Sequence, residues 1–488
     1  MNRSFSLVRS APPVLLGVVL FSIYITTMAP GLTWANDGSD GGDLITAAAI
    51  GGVPHPTGYP VYLILARTFQ AIPVGSLAYR TNLLSAMCMT LASIVLYALV
   101  AQYLAAQGRQ WPQFAGLVAG LSFGLAPLIW SQAVITEVYA LHALLMAVLL
   151  FLYTQSKNMR HIYRWRGLFL GLSLGNHVTS IFLIPIFVAD IVLDQSTSTR
   201  QKWTVFLNQS LWVFVSLTVY LVLPFRASSF PPVNWGNPQT FDGLIWLVTG
   251  QLYWDQLLIP VSSFIHRIAA WTSLLLENFS LPGICLGLMG VVYFFQRSRF
   301  YVCTLWIAIT FSLFSLQYDT VDSKMYLIPA FLCFAAWVGV GMDGILGLVD
   351  RRLIVKVVLG TVVISFMFIN AIHVAPKVDA SNDKRADQFV EMVFAQAPSQ
   401  AILFVKGDGA VFSLWYYHYA LHERPDLFVV ASDLLHFPWY LETLRVTYPV
   451  LNLTEPFPWP QTIIEMNLGL PYCYVDTANT MEIDCVHP

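Results

Sequence analysis

The chain has 488 residues, 57% of them hydrophobic and only 11% charged, with a mean hydropathy of +0.63. That composition excludes a soluble globular protein, in which charged residues make up about 25%. The net charge of −2, with no basic tract and no nucleic-acid motif, sets nucleic-acid binding aside.

Apolar runs of membrane length recur as far as residue 373. The first, about residues 12–29, follows Arg3 and Arg9 as a signal peptide would. It is long for a signal core and many further spans follow, so an uncleaved first helix is the better reading. Directly after it, N-D-G-S-D-G-G-D-L (Asn36 to Leu44) puts Asp37, Asp40 and Asp43 in one short Gly-rich loop. The chain then reads P-H-P-T-G-Y-P (Pro54 to Pro60), which contains His55 and Tyr59. In a chain so poor in charge, carboxylates clustered beside a bilayer point to protons, a metal or a polar substrate. The plain alternative is a turn, with Asp43 as the N-cap of a following helix.

The remaining runs lie at about 79–105, 113–130, 138–155, 166–178, 179–194, 203–224, 268–296, 301–317, 325–347 and 353–373. Those at 166–178 and 179–194 are short for full crossings and read as a broken or re-entrant pair. With these spans, Arg109, Lys157, Arg160, Arg164, Arg166, Arg200, Lys202, Arg297, Arg299, Arg351, Arg352 and Lys356 fall on the side of Arg3 and Arg9. The positive-inside rule makes that side cytoplasmic. The expectation is about eleven crossings with the N-terminus inside and the C-terminus outside, in the plasma or inner membrane if the source is bacterial. Segment 44–66 is apolar, but a full crossing there would spoil the sorting, so it lies along or dips into the outer leaflet.

Several rare polar residues then share the external face. Glu137 sits between two spans in W-S-Q-A-V-I-T-E-V-Y-A-L-H, where it is either catalytic or solvated at the interface. Asn176 and His177 mark the junction of the two short helices, where freed backbone groups need a cavity or a protein lining. Arg226, in L-P-F-R-A, and Lys324, in Y-D-T-V-D-S-K-M-Y, are external cations at span ends. They either snorkel to headgroups or hold a lipid-linked phosphate. Trp235, in P-P-V-N-W-G-N-P, serves a sugar or lipid or simply anchors the loop.

Residues 1–375 therefore read as a transmembrane catalytic domain whose first external loop, 30–78, carries the acidic site. Residues 376–488 form a small external module. Its strand-like runs at 401–405 and 427–431 flank a helical 411–422, which suggests α/β structure. Cys473 and Cys485 could pair there if the module faces an oxidising compartment. No cofactor is indicated. A divalent metal is compatible with the acidic loop, but the cysteine spacings of zinc enzymes are absent.

Taken in order, D-G-G-D-L-I-T-A-A, H-P-T-G-Y-P, W-S-Q-A-V-I-T-E-V-Y-A-L, G-L-S-L-G-N-H, P-F-R-A with P-P-V-N-W-G-N-P, and Y-L-I-P-A resemble the protein O-mannosyltransferase-like family of membrane glycosyltransferases, within the GT-C superfamily. The likeness runs over most of residues 12–347. It implies a multi-spanning bundle that takes a sugar, such as mannose, from a polyprenyl- or dolichyl-phosphate donor on the outer or luminal face of the membrane. The acceptor would be an exported protein or glycan. The family's essential acidic residue in the first external loop maps onto Asp40, and Asp43 stands at the second acidic position, more often Glu. The chemistry agrees: a carboxylate can deprotonate an acceptor hydroxyl, and a departing phosphate needs no general acid. Asp40 is then the base, with Arg226, Lys324 and His177 neutralising the phosphate. A transporter or lipid flippase that uses the acidic loop for ion or proton coupling is the rival reading. Against it, the carboxylates gather on one face and no internal repeat is visible. A non-catalytic scaffold would leave the loop carboxylates unexplained.

Overall fold

The computed structural model describes residues 2–155, 161–192, 198–258, 260, 263–293, 298–349, 352–453, 459–476 and 482–487. Lys157, Arg160, Arg297 and Arg351 of the charge-sorting argument lie outside the described residues, as do the side chains of Arg3 and Arg9.

Each apolar run carries helix. In order these are α1 (Asn2–Thr27), α2 (Gly41–Ile50), α3 (Pro60–Gln70), α4 (Leu77–Ala106), α5 (Pro112–Gly124), α6 (Pro127–Ala133), α7 (Tyr139–Thr154), α8 (Ile162–Leu174), α9 (Ile184–Val192), α10 (Thr199–Leu217), α11 (Val222–Ala227), α12 (Phe241–Val248), α13 (Phe264–Tyr293), α14 (Arg299–Gln317), α15 (Ile328–Leu348) and α16 (Leu353–Val378). Among the described residues, six helical stretches are long and apolar enough to cross a bilayer, or seven if α5 and α6 are one span bent by 70°. The bend has a local cause. Ala126, forced out of helical geometry by Pro127, has ψ 133°. Hydropathy does not register this bend, and several of the eleven runs expected as crossings carry shorter helices, such as the 16-residue α7. Segment 44–66 is likewise two short helices, α2 and α3, and 166–194 is broken by a 3₁₀ turn (Val178–Leu183) between α8 and α9.

Helix α4 packs against α1, α5 and α7, while α15 is buried almost along its length against α5, α13 and α14. A Cβ on Gly290 would strike the Trp337 carbonyl and one on Gly341 the Leu286 carbonyl, so α13 and α15 meet backbone to backbone. Small residues allow that approach where no water is displaced to drive association. By contrast, Phe214, Ile265, Val302 and Ile372 point outward from α10, α13, α14 and α16, a surface suited to lipid. Arg166 and Arg299 converge on Asp190 at 3.1 and 3.2 Å, and Arg109 meets Asp343 at 2.5 Å, so the buried Arg166, Asp190 and Asp343 are all paired.

After α16 the chain forms α17 (Arg385–Gln396), β1 (Ile402–Lys406), α18 (Asp408–Trp415), β2 (Phe428–Ala431), α19 (Pro438–Thr447), α20 (Pro460–Met466), β3 (Tyr472–Asp476) and β4 (Glu482–Val486). The sheet order is β2-β1-β3-β4, with β1 parallel to both neighbours and β4 antiparallel to β3. A buried run such as Leu403–Val405 flanked by helices is what a parallel strand covered on its faces requires. Cys473 and Cys485 stand opposite in register and are disulfide-bonded.

This module is latched onto the acidic loop. Asp383 accepts hydrogen bonds from Thr33 Oγ1 (2.7 Å), Trp34 N (2.9 Å) and Ala35 N (2.8 Å). Trp34 Nε1 donates to Ser413 Oγ at 3.0 Å. A Cβ on Gly42 would strike the Phe412 carbonyl, so glycine is what lets α18 settle on α2.

Candidate active site

The acidic loop is a 3₁₀ turn, Ala35–Asp40, in which Asn36 and Asp37 take left-handed angles (φ 58° and 61°). Asn and Asp tolerate that region better than other side chains, and the turn feeds straight into α2. Asp40 occupies the N-cap position but its side chain caps nothing, which leaves the carboxylate free to face inward. Asp43 lies in the first turn instead of at the cap, and its side chain is completely buried.

Asp43 is the hinge of the site. Its Oδ2 accepts from His55 N at 2.9 Å and bonds His55 Nδ1 at 2.7 Å, while Oδ1 accepts from Trp235 Nε1 at 3.2 Å. With Nδ1 so engaged, His55 Nε2 is turned towards Asp40 Oδ2, 3.7 Å away. Phe412 stacks on the His55 ring, with centroids 6.3 Å apart, and Tyr59 meets it edge-on at 5.2 Å.

These groups open onto a cavity of about 410 Å³ lined by Asp37, Asp40, His55, Tyr59, Glu137, Tyr139, Trp235, Tyr253, Asp319, Asp322, Tyr326, Asp408 and Phe412, among others. Asp40 keeps 36% of its side-chain surface because it faces this space and not the packed core. At the rim, Lys324 Nζ pairs with Asp37 Oδ2 at 2.7 Å and Tyr139 OH donates to Asp322 Oδ2 at 2.7 Å. Another cavity, of about 250 Å³ between α5, α13 and α16, has no titratable side chain in its lining. The chemistry therefore belongs to the first.

Burial raises the Asp40 carboxyl to about 6. The His55 charge pulls it down, while Asp408, Asp322 and Asp43 push it up. Burial alone would lower His55, but Asp40 and the hydrogen bond to Asp43 outweigh it and raise the imidazole to about 9. Near neutral pH Asp40 is thus an available base beside a charged imidazolium. Burial, reinforced by the Asp40 charge, holds Glu137 well above the usual carboxyl range.

The structure brings Asp40, Asp43, His55, Tyr59, Glu137 and Trp235 together at one place. It puts Asn176 and His177 in the layer behind, against residues that line the cavity. His177 Nδ1 bonds Thr179 Oγ1 at 2.8 Å, and its ring is packed among Tyr139, His142 and Tyr326, behind the cavity wall. Asn176 Nδ2 donates to Val138 O at 3.3 Å and steadies the segment beside Glu137. Arg226 does not line the cavity. Its guanidinium donates to the carbonyls of Ala47 (3.0 Å) and Gly52 (3.1 Å), at the end of α2 opposite Asp37 and Lys324. Arg226 is thus held by backbone at the C-terminal end of α2, whereas Lys324 pairs with Asp37 ahead of its N-terminus.

Tyr139, Asp322, Asp408 and Phe412 are cavity residues that sequence reasoning did not single out. Tyr139 and Asp322 fall inside the segments quoted around Glu137 and Lys324, so proximity to those residues was a usable signal. Asp408 and Phe412 come from the C-terminal module, and only tertiary docking brings them in. Among the described residues, no three His, Cys, Asp or Glu side chains converge as metal ligands would.

The helical bundle with its small α/β module has an ArnT-like fold. Crystal structures of ArnT from Cupriavidus metallidurans match it with a TM-score of 0.64 in the apo state (12% identity, 96% of this chain and 93% of that one) and 0.58 bound to undecaprenyl phosphate (13% identity, 98% and 94%). Residues 40–200 match the family model of the Protein O-mannosyl-transferase TMEM260 N-terminal domain, and residues 386–458 match that of TMEM260-associated domain 2. Protein O-mannosyl-transferase TMEM260 of Mus musculus is 24% identical over 439 residues, which cover 84% of this chain and 62% of the relative. The protein of the same name from Dictyostelium discoideum is 23% identical over 521 residues, covering 93% and 62%. The chain thus spans 62% of the length of these curated relatives. The resemblance to the protein O-mannosyltransferase-like family is borne out, in the acidic-loop region and in the C-terminal module alike.

Proposed function

We propose that this chain is a membrane glycosyltransferase that moves a sugar, mannose in the first instance, from a polyprenyl- or dolichyl-phosphate carrier to a hydroxyl of an exported protein. The names of the relatives and the lipid phosphate bound to ArnT support that choice. The observation that carries it is Asp40, a free carboxylate of raised basicity facing a polar cavity. Asp40 takes the proton of the acceptor hydroxyl as its oxygen bonds the anomeric carbon. The carbon–phosphate oxygen bond breaks, and the lipid phosphate leaves with the electron pair. The His55 imidazolium, held by Asp43, and Lys324 at the rim offset the phosphate charge, whereas Arg226 is taken up by backbone carbonyls and His177 packs behind the cavity tyrosines. Glu137 donates a hydrogen bond to the sugar or phosphate, and Tyr59 and Trp235 offer aromatic faces to the sugar.

Residues 1–375 form the catalytic domain, and 376–488 stand outside the membrane on the active-site side. The Cys473–Cys485 disulfide favours that placement, since disulfides persist in oxidising compartments. Ser399, exposed in the module, becomes the probe. A Ser399→Cys protein should react with an impermeant maleimide in intact cells. Labelling only after lysis would place the site on the cytoplasmic face and overturn the topology.

Transfer should depend on pH with a bell shape. The base form of Asp40 is lost as pH falls through about 6, so the rate drops about tenfold per unit below it. The His55 charge is lost as pH rises through about 9, which lowers the rate again. A flat profile between about pH 5 and 7 would rule Asp40 out as the base. The function itself is tested by mass spectrometry of exported glycoproteins from cells with and without the gene. Loss of O-linked hexose is expected, and an unchanged glycoproteome would refute it.

A further inference from the structure

The C-terminal module contributes to the cavity wall a carboxylate that feels the His55 charge but, among the described residues, makes no hydrogen bond or ion pair. Asp408 opens α18 and is exposed to the cavity. Its position is fixed. Gly407 N donates to Asp433 Oδ2 at 3.1 Å, the Phe412 carbonyl sits against Gly42, and Trp34 ties α18 to the acidic loop through Ser413. The other acidic residues of the cavity are accounted for. Asp37 pairs with Lys324, Asp319 with Arg267, and Asp322 accepts from Tyr139. Asp40 faces His55, and Glu137 accepts from the Val138 N–H at 3.3 Å. Among the described residues Asp408 alone of this group has no hydrogen bond or ion pair, and no Lys or Arg side chain lines the cavity.

The two substrates approach from different sides. A polyprenyl tail keeps the donor in the bilayer, so its sugar arrives along the helical bundle. The module is built of strands and half-polar helices such as α17, so a water-borne acceptor meets its wall first. Resting on the transferase reading above, we propose that Asp408 is an acceptor-specificity residue that selects polypeptide segments carrying a Lys or Arg next to the hydroxyl that receives the sugar. A lone carboxylate in a cavity free of Lys and Arg attracts such a side chain and repels an acidic one. Phe412 beside it supplies an apolar face for the aliphatic stem of the Lys or Arg.

The test uses the purified full chain, a mannosyl-phosphoryl polyprenol donor and three Ser/Thr peptides that differ only in a flanking Lys, Gln or Glu. The wild type should favour the Lys peptide over the Glu peptide in kcat/KM by roughly two- to fivefold, the range of a partly exposed ion pair. Asp408→Asn should collapse that ratio towards one, and Asp408→Lys should invert it, while the KM for donor stays at the wild-type value. A preference that persists in Asp408→Asn, or no preference in the wild type, overturns the inference but leaves the transferase reading standing. A wild type that transfers to none of the three peptides refutes the transferase reading itself. Thermal unfolding of both variants separates lost recognition from lost folding.

Discussion

Asp40→Asn should lower sugar transfer by about 10²–10⁴-fold, the span attributed to a positioned general base, while the protein still folds and inserts. The substitution keeps the shape of the side chain and removes only its ability to take a proton. Because Asp40 caps no helix and its nearest charged partner, His55, is 3.7 Å away, the fold does not depend on its charge. Turnover at the wild-type level in Asp40→Asn would sink the assignment. A loss of transfer together with failure to insert would point to a structural role instead.

The second large effect concerns Asp43, and its signature is different. Asp43→Ala leaves the two N–H groups of His55 and the Trp235 indole N–H without their buried acceptor. Removing one partner of a buried, hydrogen-bonded charge pair costs about 3–5 kcal/mol. A clear fall in Tm in detergent is therefore expected, together with loss of transfer as His55 swings away from Asp40. An unchanged Tm would show that Asp43 is not the hinge described above. The pair of variants thus separates chemistry from support, with Asp40 costing rate and Asp43 costing both rate and stability.

The parts of the site that were legible in the sequence are those written in short range. Asp40, Asp43, His55 and Tyr59 fall within twenty residues, and their odd composition beside an apolar run is visible without a fold. Glu137 could be suspected because it interrupts apolar sequence at a span end, and Trp235 because it is the aromatic of a Pro-rich loop. What was not legible depends on where helices end in space. Arg226 and Lys324 look alike as lone cations at span ends, yet α2 lies between them, and one of them is held by backbone carbonyls. His177 sits at a helix break, as expected, but the aromatic packing that buries it comes from α7 and the segment before α15. Asp408 follows a strand in a polar module, where nothing in the local sequence tells that α18 docks on α2. The helices themselves were plain from hydropathy, as was the break between α8 and α9, whereas the bend at Pro127 divides a run that composition alone counts as whole.

The central claim is transfer of a sugar from a lipid phosphate at Asp40. It is tested most directly by incubating the purified chain in lipid nanodiscs with mannosyl-phosphoryl polyprenol and a Ser/Thr peptide, then reading peptide mass and released lipid phosphate together. The wild type should add one hexose to a peptide hydroxyl for each polyprenyl phosphate freed, and Asp40→Asn should do neither. Equal hexose addition by the two proteins, or release of lipid phosphate with no hexose on the peptide, would contradict the account.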